Sequence, residues 1–114
     1  MNGWIFIDKP KNITSFKVIQ RLRKILNFNK IGHSGTLDPF ATGILAIAVG
    51  EATKSINYFN PNKVYKFNVV FGELKDTDDI TGKTTDKSNI IPTKKEIDQC
   101  LKNFIGKHSQ VPPQ

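Results

Sequence analysis

The sequence predicts a mixed α/β fold, and three stretches carry that expectation. The run "GWIFID" (residues 3–8) is short, apolar and rich in β-formers. The segment "FKVIQRLRKILN" (16–27) repeats apolar residues at helical spacing, and "ILAIAV" (44–49) is an unbroken apolar run stopped by Gly50. Strand, helix and buried strand in that order, joined by turn-rich segments, describe a sheet covered by helices.

Each element has its own local reason. The first strand meets "KPKN", where Pro10 and Asn12 turn the chain, and Thr14 or Ser15 can cap the helix that follows. In that helix Ile19, Leu22 and Leu26 share a face with Val18 and Ile25 beside them. Lys17, Arg21, Arg23 and Lys24 fall mostly elsewhere, so the helix is amphipathic and basic. The length and branching of residues 44–49 suit a strand buried on both faces. "EATKSINYF" reads as a short helix ended by the "NPN" turn (60–62). In "VYKFNVVFG", Tyr65, Phe67, Val69 and Phe71 alternate onto one face of a strand. The polar stretch "ELKDTDDITGKTTDKSN" is a loop or an edge hairpin. "TKKE" (93–96) has capping-box spacing and opens a helix with Ile97, Leu101 and Phe104, stopped at Gly106. The two prolines of the tail "KHSQVPPQ" favour an extended segment. Three strands with long connections and no closing element are expected to be the first part of a larger domain.

With 114 residues the chain suffices for one small domain. Its net charge of +7 and pI near 9.6 point toward a polyanion, most often nucleic acid. A composition simply rich in Lys and Asn gives the same excess, so charge alone leaves both readings open. Cys100 is the single cysteine, which excludes an internal disulfide and favours a reducing, cytoplasmic setting. It falls in the last helix and is expected to pack there as a small apolar residue. No apolar run approaches the ~20 residues of a membrane span, and the first one is too short for a signal peptide.

Candidate chemistry concentrates in "GHSGTLDPFATG" (32–43), where turn-formers crowd around one acid, Asp38. Other motifs fail on inspection. "GEATKS" (50–55) lacks the second glycine of a phosphate-binding loop, although it follows a strand and opens a helix. "DTDDITG" (76–82) has its glycine one place late for a calcium loop, and its twelfth position is Lys87. His33 and His108 have no metal-ligand spacing with other donors. No metal and no cofactor are expected. Asp38 itself has two readings on residue types alone: a cap for the turn begun by Pro39, or a reactive carboxylate presented by a glycine-rich loop. The surrounding glycines would admit close approach of a ligand, and Thr36 could donate a hydrogen bond.

The stretch "GHSGTLDPFATGILAIAVGEATK" closely resembles the catalytic motif of the TruB family of tRNA pseudouridine synthases. "DKPKNITSF" (8–16) is similar to that family's first motif, a Lys-Pro turn before a helix. "KVYKFNVVFGELKDTDDITG" (63–82) resembles its third landmark, a tyrosine-bearing strand entering an acidic loop, and "QVPPQ" resembles the approach to a later strand. Together these cover nearly the whole chain. The "GEATK" continuation favours the bacterial stand-alone tRNA enzyme over guide-RNA relatives.

The resemblance implies a largely antiparallel sheet with flanking helices, crossed by a catalytic cleft. It implies isomerisation of the T-loop uridine of tRNA (position fifty-five in tRNA numbering) to pseudouridine, without cofactor or metal. Asp38 matches the essential aspartate and Tyr65 the active-site tyrosine that stacks on the base. His33 matches the histidine that fills the space the uridine vacates. Gly32, Gly35, Thr36 and Lys9 fall on the substrate side of the same motifs. The implied partner is tRNA through its T-stem loop, with no membrane and no obligate protein partner. Asn12 stands where the family usually has glycine, Ala46 where proline is common, and Lys75 where threonine is common. The resemblance also places the basic partner of the aspartate and an RNA-binding PUA domain beyond residue 114. Residues 1–114 are therefore expected to form the N-terminal part of the catalytic domain and to have little or no activity alone. The alternative is a catalytically silent RNA-binding module on the same scaffold.

Overall fold

A computed structural model describes residues 1–59 and 62–111, in two compact units, Met1–Val64 and Tyr65–Gln114. The turn expected at Asn60 and Pro61 and the extended segment expected over residues 112–114 lie outside the described residues.

The first unit is built on a three-stranded antiparallel sheet. Its strands are β1 (Gly3–Lys9), β2 (Ile31–Ser34) and β3 (Gly43–Val49), in spatial order β1-β3-β2. In β3, residues 45–49 are all buried, as the unbroken apolar run requires of a strand covered on both faces. Register pairs Ile5 with Ile47 and Ile7 with Leu45 on one side, and His33 with Ile47 on the other.

Helix α1 (Ser15–Leu26) covers that face. Thr14 caps it, its hydroxyl accepting the Lys17 N–H at 3.1 Å, and Asn27 ends it in a left-handed conformation at φ 51°. Val18 and Ile19 enter a core with Ile13, Leu37, Leu45, Ile47 and Val49. Each such aliphatic side chain contributes ~1.5–3 kcal/mol on burial. The expected helical face is shorter than the sequence implies, because Ile25 and Leu26 are exposed.

On the opposite face of the sheet β3 carries the small residues Ala46 and Ala48. Ala48 pairs with both Trp4 and Gly32, so the three share that face. A 3₁₀ helix (Gly50–Tyr58) lies against it where a short helix was expected, and Phe59 stacks on Trp4 with centroids 4.6 Å apart.

In the second unit, β4 (Glu73–Lys75) and β5 (Thr84–Lys87) pair antiparallel, realising the edge hairpin. Helix α2 (Lys94–Leu101) begins with a reciprocal capping box between Thr93 and Glu96 and continues as a 3₁₀ turn, Lys102–Phe104. The strand expected over 64–71 does not form: this stretch pairs with no described strand, and Tyr65, Phe67, Val69 and Phe71 all remain exposed. The alternation is present in the sequence, but a strand exists only with a neighbour to bond. Cys100 is also exposed instead of packed.

Candidate active site

The loop between β2 and β3 is held on both sides of the acid, whose side chain is left free. Gly35 adopts φ +77°, a conformation that disfavours any side chain, and a Cβ there would lie 2.7 Å from the Lys63 side chain. Lys63 crosses this position and donates from Nζ to the Thr36 carbonyl at 2.8 Å. Leu37 then sinks its side chain into the core. Both polar backbone groups of Leu37 meet one hydroxyl: Ser15 Oγ accepts the Leu37 N–H at 3.0 Å and donates to the Leu37 carbonyl at 3.1 Å.

On the far side of Asp38, the Pro39 carbonyl accepts the Asn12 N–H at 2.7 Å and the Lys9 ammonium at 3.2 Å. Lys9 has no solvent exposure, and its Nζ also donates to the carbonyls of Ile13 (2.8 Å) and Pro10 (3.1 Å). Three carbonyls thus satisfy all three ammonium protons, which is what makes a buried cation tolerable. Asn12 supplies the turn by adopting φ 62°, a conformation Asn accepts more readily than most residues.

Asp38 sits exposed between these two anchors. Its own carbonyl accepts the Ala41 N–H at 3.0 Å, closing a four-residue turn with Pro39 in its second position. The turn is therefore closed by backbone, and the carboxylate caps nothing. Among the described residues no hydrogen bond or ion pair engages it. An exposed, unengaged carboxylate on a fixed backbone is available to a ligand as nucleophile or base.

His33 is half-buried at the end of β2, and its Nδ1–H donates to the Gly35 carbonyl at 3.0 Å. Because a carbonyl only accepts, this bond places a proton on Nδ1 and leaves Nε2 as the ring's other polar atom. A cavity of about 120 Å³ beside the loop is lined by Phe6, Ile44, Phe59, Ser34 and Lys63, among others. That is well under the ~300–1,000 Å³ of an ordinary ligand pocket.

The structure gathers His33, Gly35, Thr36, Asp38 and Lys9 around one loop in the first unit. Tyr65 belongs to the second unit, where its side chain is about half exposed. Two residues have a different setting from the one expected. Lys9 lies beneath the loop with its ammonium fully engaged, and Gly32 leaves room for Ile56, whose Cδ1 would be 2.9 Å from a Cβ there. Period-2 alternation already pointed to the first: Ile5, Ile7 and Lys9 share the core-facing side of β1. Ser15 was read only as an alternative cap. Thr14 takes that role, which frees the serine hydroxyl for Leu37.

Elsewhere on this unit Glu51 bridges two cations, Lys30 at 2.7 Å and Lys54 at 2.6 Å. The bond from Lys30 and then that from Lys54 lower its pKa from the usual 4.5 to about 2. In the second unit, the Asp79 carboxylate of the calcium-loop look-alike accepts the hydroxyls of Thr81 and then Thr77, which lower its pKa.

Residues 23–114 match the family described as TruB family pseudouridylate synthase (N terminal domain). A protein named tRNA pseudouridine synthase B from Ehrlichia ruminantium (strain Gardel) is 53% identical over 114 residues, 99% of this chain and 38% of its own length. The protein of that name from Rhodospirillum rubrum is 48% identical, again over 99% of this chain and 37% of its own. Among solved structures, a chain in an H/ACA RNP bound to a substrate RNA containing 2'-deoxyuridine aligns with a TM-score of 0.48 and 45% identity. It covers 49% of this chain and 18% of that one. The chain thus spans a little over a third of the curated relatives it matches. The anchored loop with its single free acid lies inside the matched segment, and with that match the chain belongs to the TruB family of pseudouridylate synthases.

Proposed function

We propose that the protein carrying this chain converts the T-loop uridine of tRNA (position fifty-five in tRNA numbering) to pseudouridine, with Asp38 as its catalytic residue. The observation that carries the reading is the exposed, unengaged carboxylate of Asp38 between two backbone anchors, in a chain whose relatives are named tRNA pseudouridine synthase B.

The reaction breaks the N-glycosidic bond, turns the uracil and rejoins it to the ribose through carbon. An ionised carboxylate serves this by adding to the nucleoside or by removing a sugar proton, and both routes need an oxygen free to approach the substrate. The target base must first leave its stack, at a cost of ~a few kcal/mol. On this reading His33, its ring oriented through Nδ1, fills the vacated space, and Tyr65 stacks on the extruded base. Gly35 and Thr36 border the approach of the RNA. Lys9 supports the loop from below in place of touching substrate.

Phosphate contacts fall to the exposed basic side of α1, giving salt-sensitive binding whose specificity comes from the shape of the folded RNA loop. Residues 1–114 by themselves turn over little or no tRNA on this reading, since no cation among the described residues orients Asp38.

The test is Asp38→Asn in the protein carrying this chain, assayed on unmodified tRNA with the product uridine mapped by position. Loss of at least ~10³ in rate, with unchanged thermal stability, is expected. An active Asp38→Asn protein overturns the assignment of the aspartate, and pseudouridine at another position overturns the T-loop assignment.

A further inference from the structure

We infer that Ser15 is a positioning residue for the reaction: through Leu37 it sets the direction in which the Asp38 carboxylate is presented. The inference rests on the proposed role of Asp38 and extends it to a residue in another element.

Ser15 is 1% exposed and is the first residue of α1, yet its hydroxyl does nothing for the helix, whose cap is Thr14. Alanine has the better helix propensity and would bury no polar group there. The hydroxyl is spent wholly on Leu37, taking its N–H and serving its carbonyl. That residue immediately precedes Asp38, and the Leu37 carbonyl belongs to the peptide plane that leads into the Asp38 Cα.

The next peptide carbonyl, that of Asp38 itself, accepts the Ala41 N–H, and the one after it, that of Pro39, is anchored by Asn12 and Lys9. Asp38 is thereby suspended between two fixed peptide groups. Its carboxylate has no partner of its own among the described residues. Among the described residues nothing grips the side chain, so the backbone fixes the point from which it starts, and the backbone on its N-terminal side is held by Ser15. Catalytic geometry is sensitive to this: a misplacement of ~1 Å can cost ~10² in rate.

The experiment compares Ser15→Ala and Ser15→Thr in the protein carrying this chain. Single-turnover pseudouridine formation, tRNA affinity, thermal stability and exchange of the Leu37 amide are measured on each. Ser15→Ala is expected to slow the chemical step by ~30- to 100-fold at saturating tRNA, with affinity within about threefold and the protein folded at the assay temperature. The Leu37 amide should exchange faster, and Ser15→Thr, which keeps the hydroxyl, should recover most of the rate. A purely structural role would lower the rate only through the folded fraction.

A Ser15→Ala enzyme within threefold of the parent rate overturns the inference. So does a rate loss fully explained by unfolding or weaker binding, and so does an unchanged Leu37 amide, which needs no activity to read. An inactive parent protein refutes the proposed reaction instead, and the exchange measurement keeps that failure separate from this one.

Discussion

Replacing Lys17, Arg21 and Lys24 together by glutamine should flatten the salt dependence of tRNA binding. The three lie at i, i+4 and i+7 on α1, within about 60° of one another and on the side away from Ile19. They are exposed, and no acid pairs with them among the described residues. At ~1.5 Å per residue the stripe is about 10 Å long, enough to meet about three phosphates of one strand. Each neutralised phosphate contributes ~0.7–0.9 to the slope of log affinity against log salt, so three contribute about 2.4. Between 50 and 200 mM KCl the parent protein should therefore lose roughly 30-fold more affinity than the variant. Stability is not at risk. Glutamine matches lysine and arginine in helix propensity, and removing like charges at i, i+4 relieves ~0.2–0.5 kcal/mol of repulsion. Fluorescence anisotropy with labelled tRNA over a KCl series reads the slope directly. A variant slope within about 0.5 of the parent's refutes the reasoning, since the stripe would then face only solvent.

Two further outcomes follow from particular contacts. Lys9→Met keeps the length of the side chain but strips the partner from the carbonyls of Pro10, Ile13 and Pro39. It should cost about 2–4 kcal/mol in a denaturant titration, and a loss under about 0.5 kcal/mol would mean the ammonium holds nothing. Glu51, held down to about 2 in the folded chain against its usual 4.5, stabilises the fold fully above pH 4.5. That contribution is lost as pH falls through about 2. Glu51→Gln should flatten this stretch of the acid-unfolding curve, by less in high salt because the group is exposed; an identical curve would show the pairing to be fully screened.

The sequence made some parts of this molecule easy to read and hid others for physical reasons. Residues 44–49 and the Thr14-capped helix were legible because burial on two faces and on one face leave distinct apolar periods. Ile31–Ser34 was not, because four residues containing glycine and histidine carry too short a period to separate a strand from the loop that follows. Residues 64–71 show the converse. Their alternation describes a face and says nothing about whether a neighbouring strand is there to pair. At the candidate site the residue type of Asp38 favoured a cap for the Pro39 turn and the family resemblance favoured a reactive acid; the turn itself is closed by backbone, through the Ala41 N–H. The resemblance put Lys9 on the substrate side, whereas its place in the β1 alternation puts it on the core-facing side, where it is buried.

The burial of Lys9 also bears on motion. An active loop is commonly drawn from the least stable part of a fold, so that it can open while the rest stays intact. Here such opening would pull a charged amine away from the carbonyls of Ile13 and Pro39 and loosen the end of β1 at once. The loop is therefore tied into the cooperative core, and Lys9 should resist amine-reactive labels as long as the core holds. On the proposed function, an RNA substrate would meet a loop already held in place by the core.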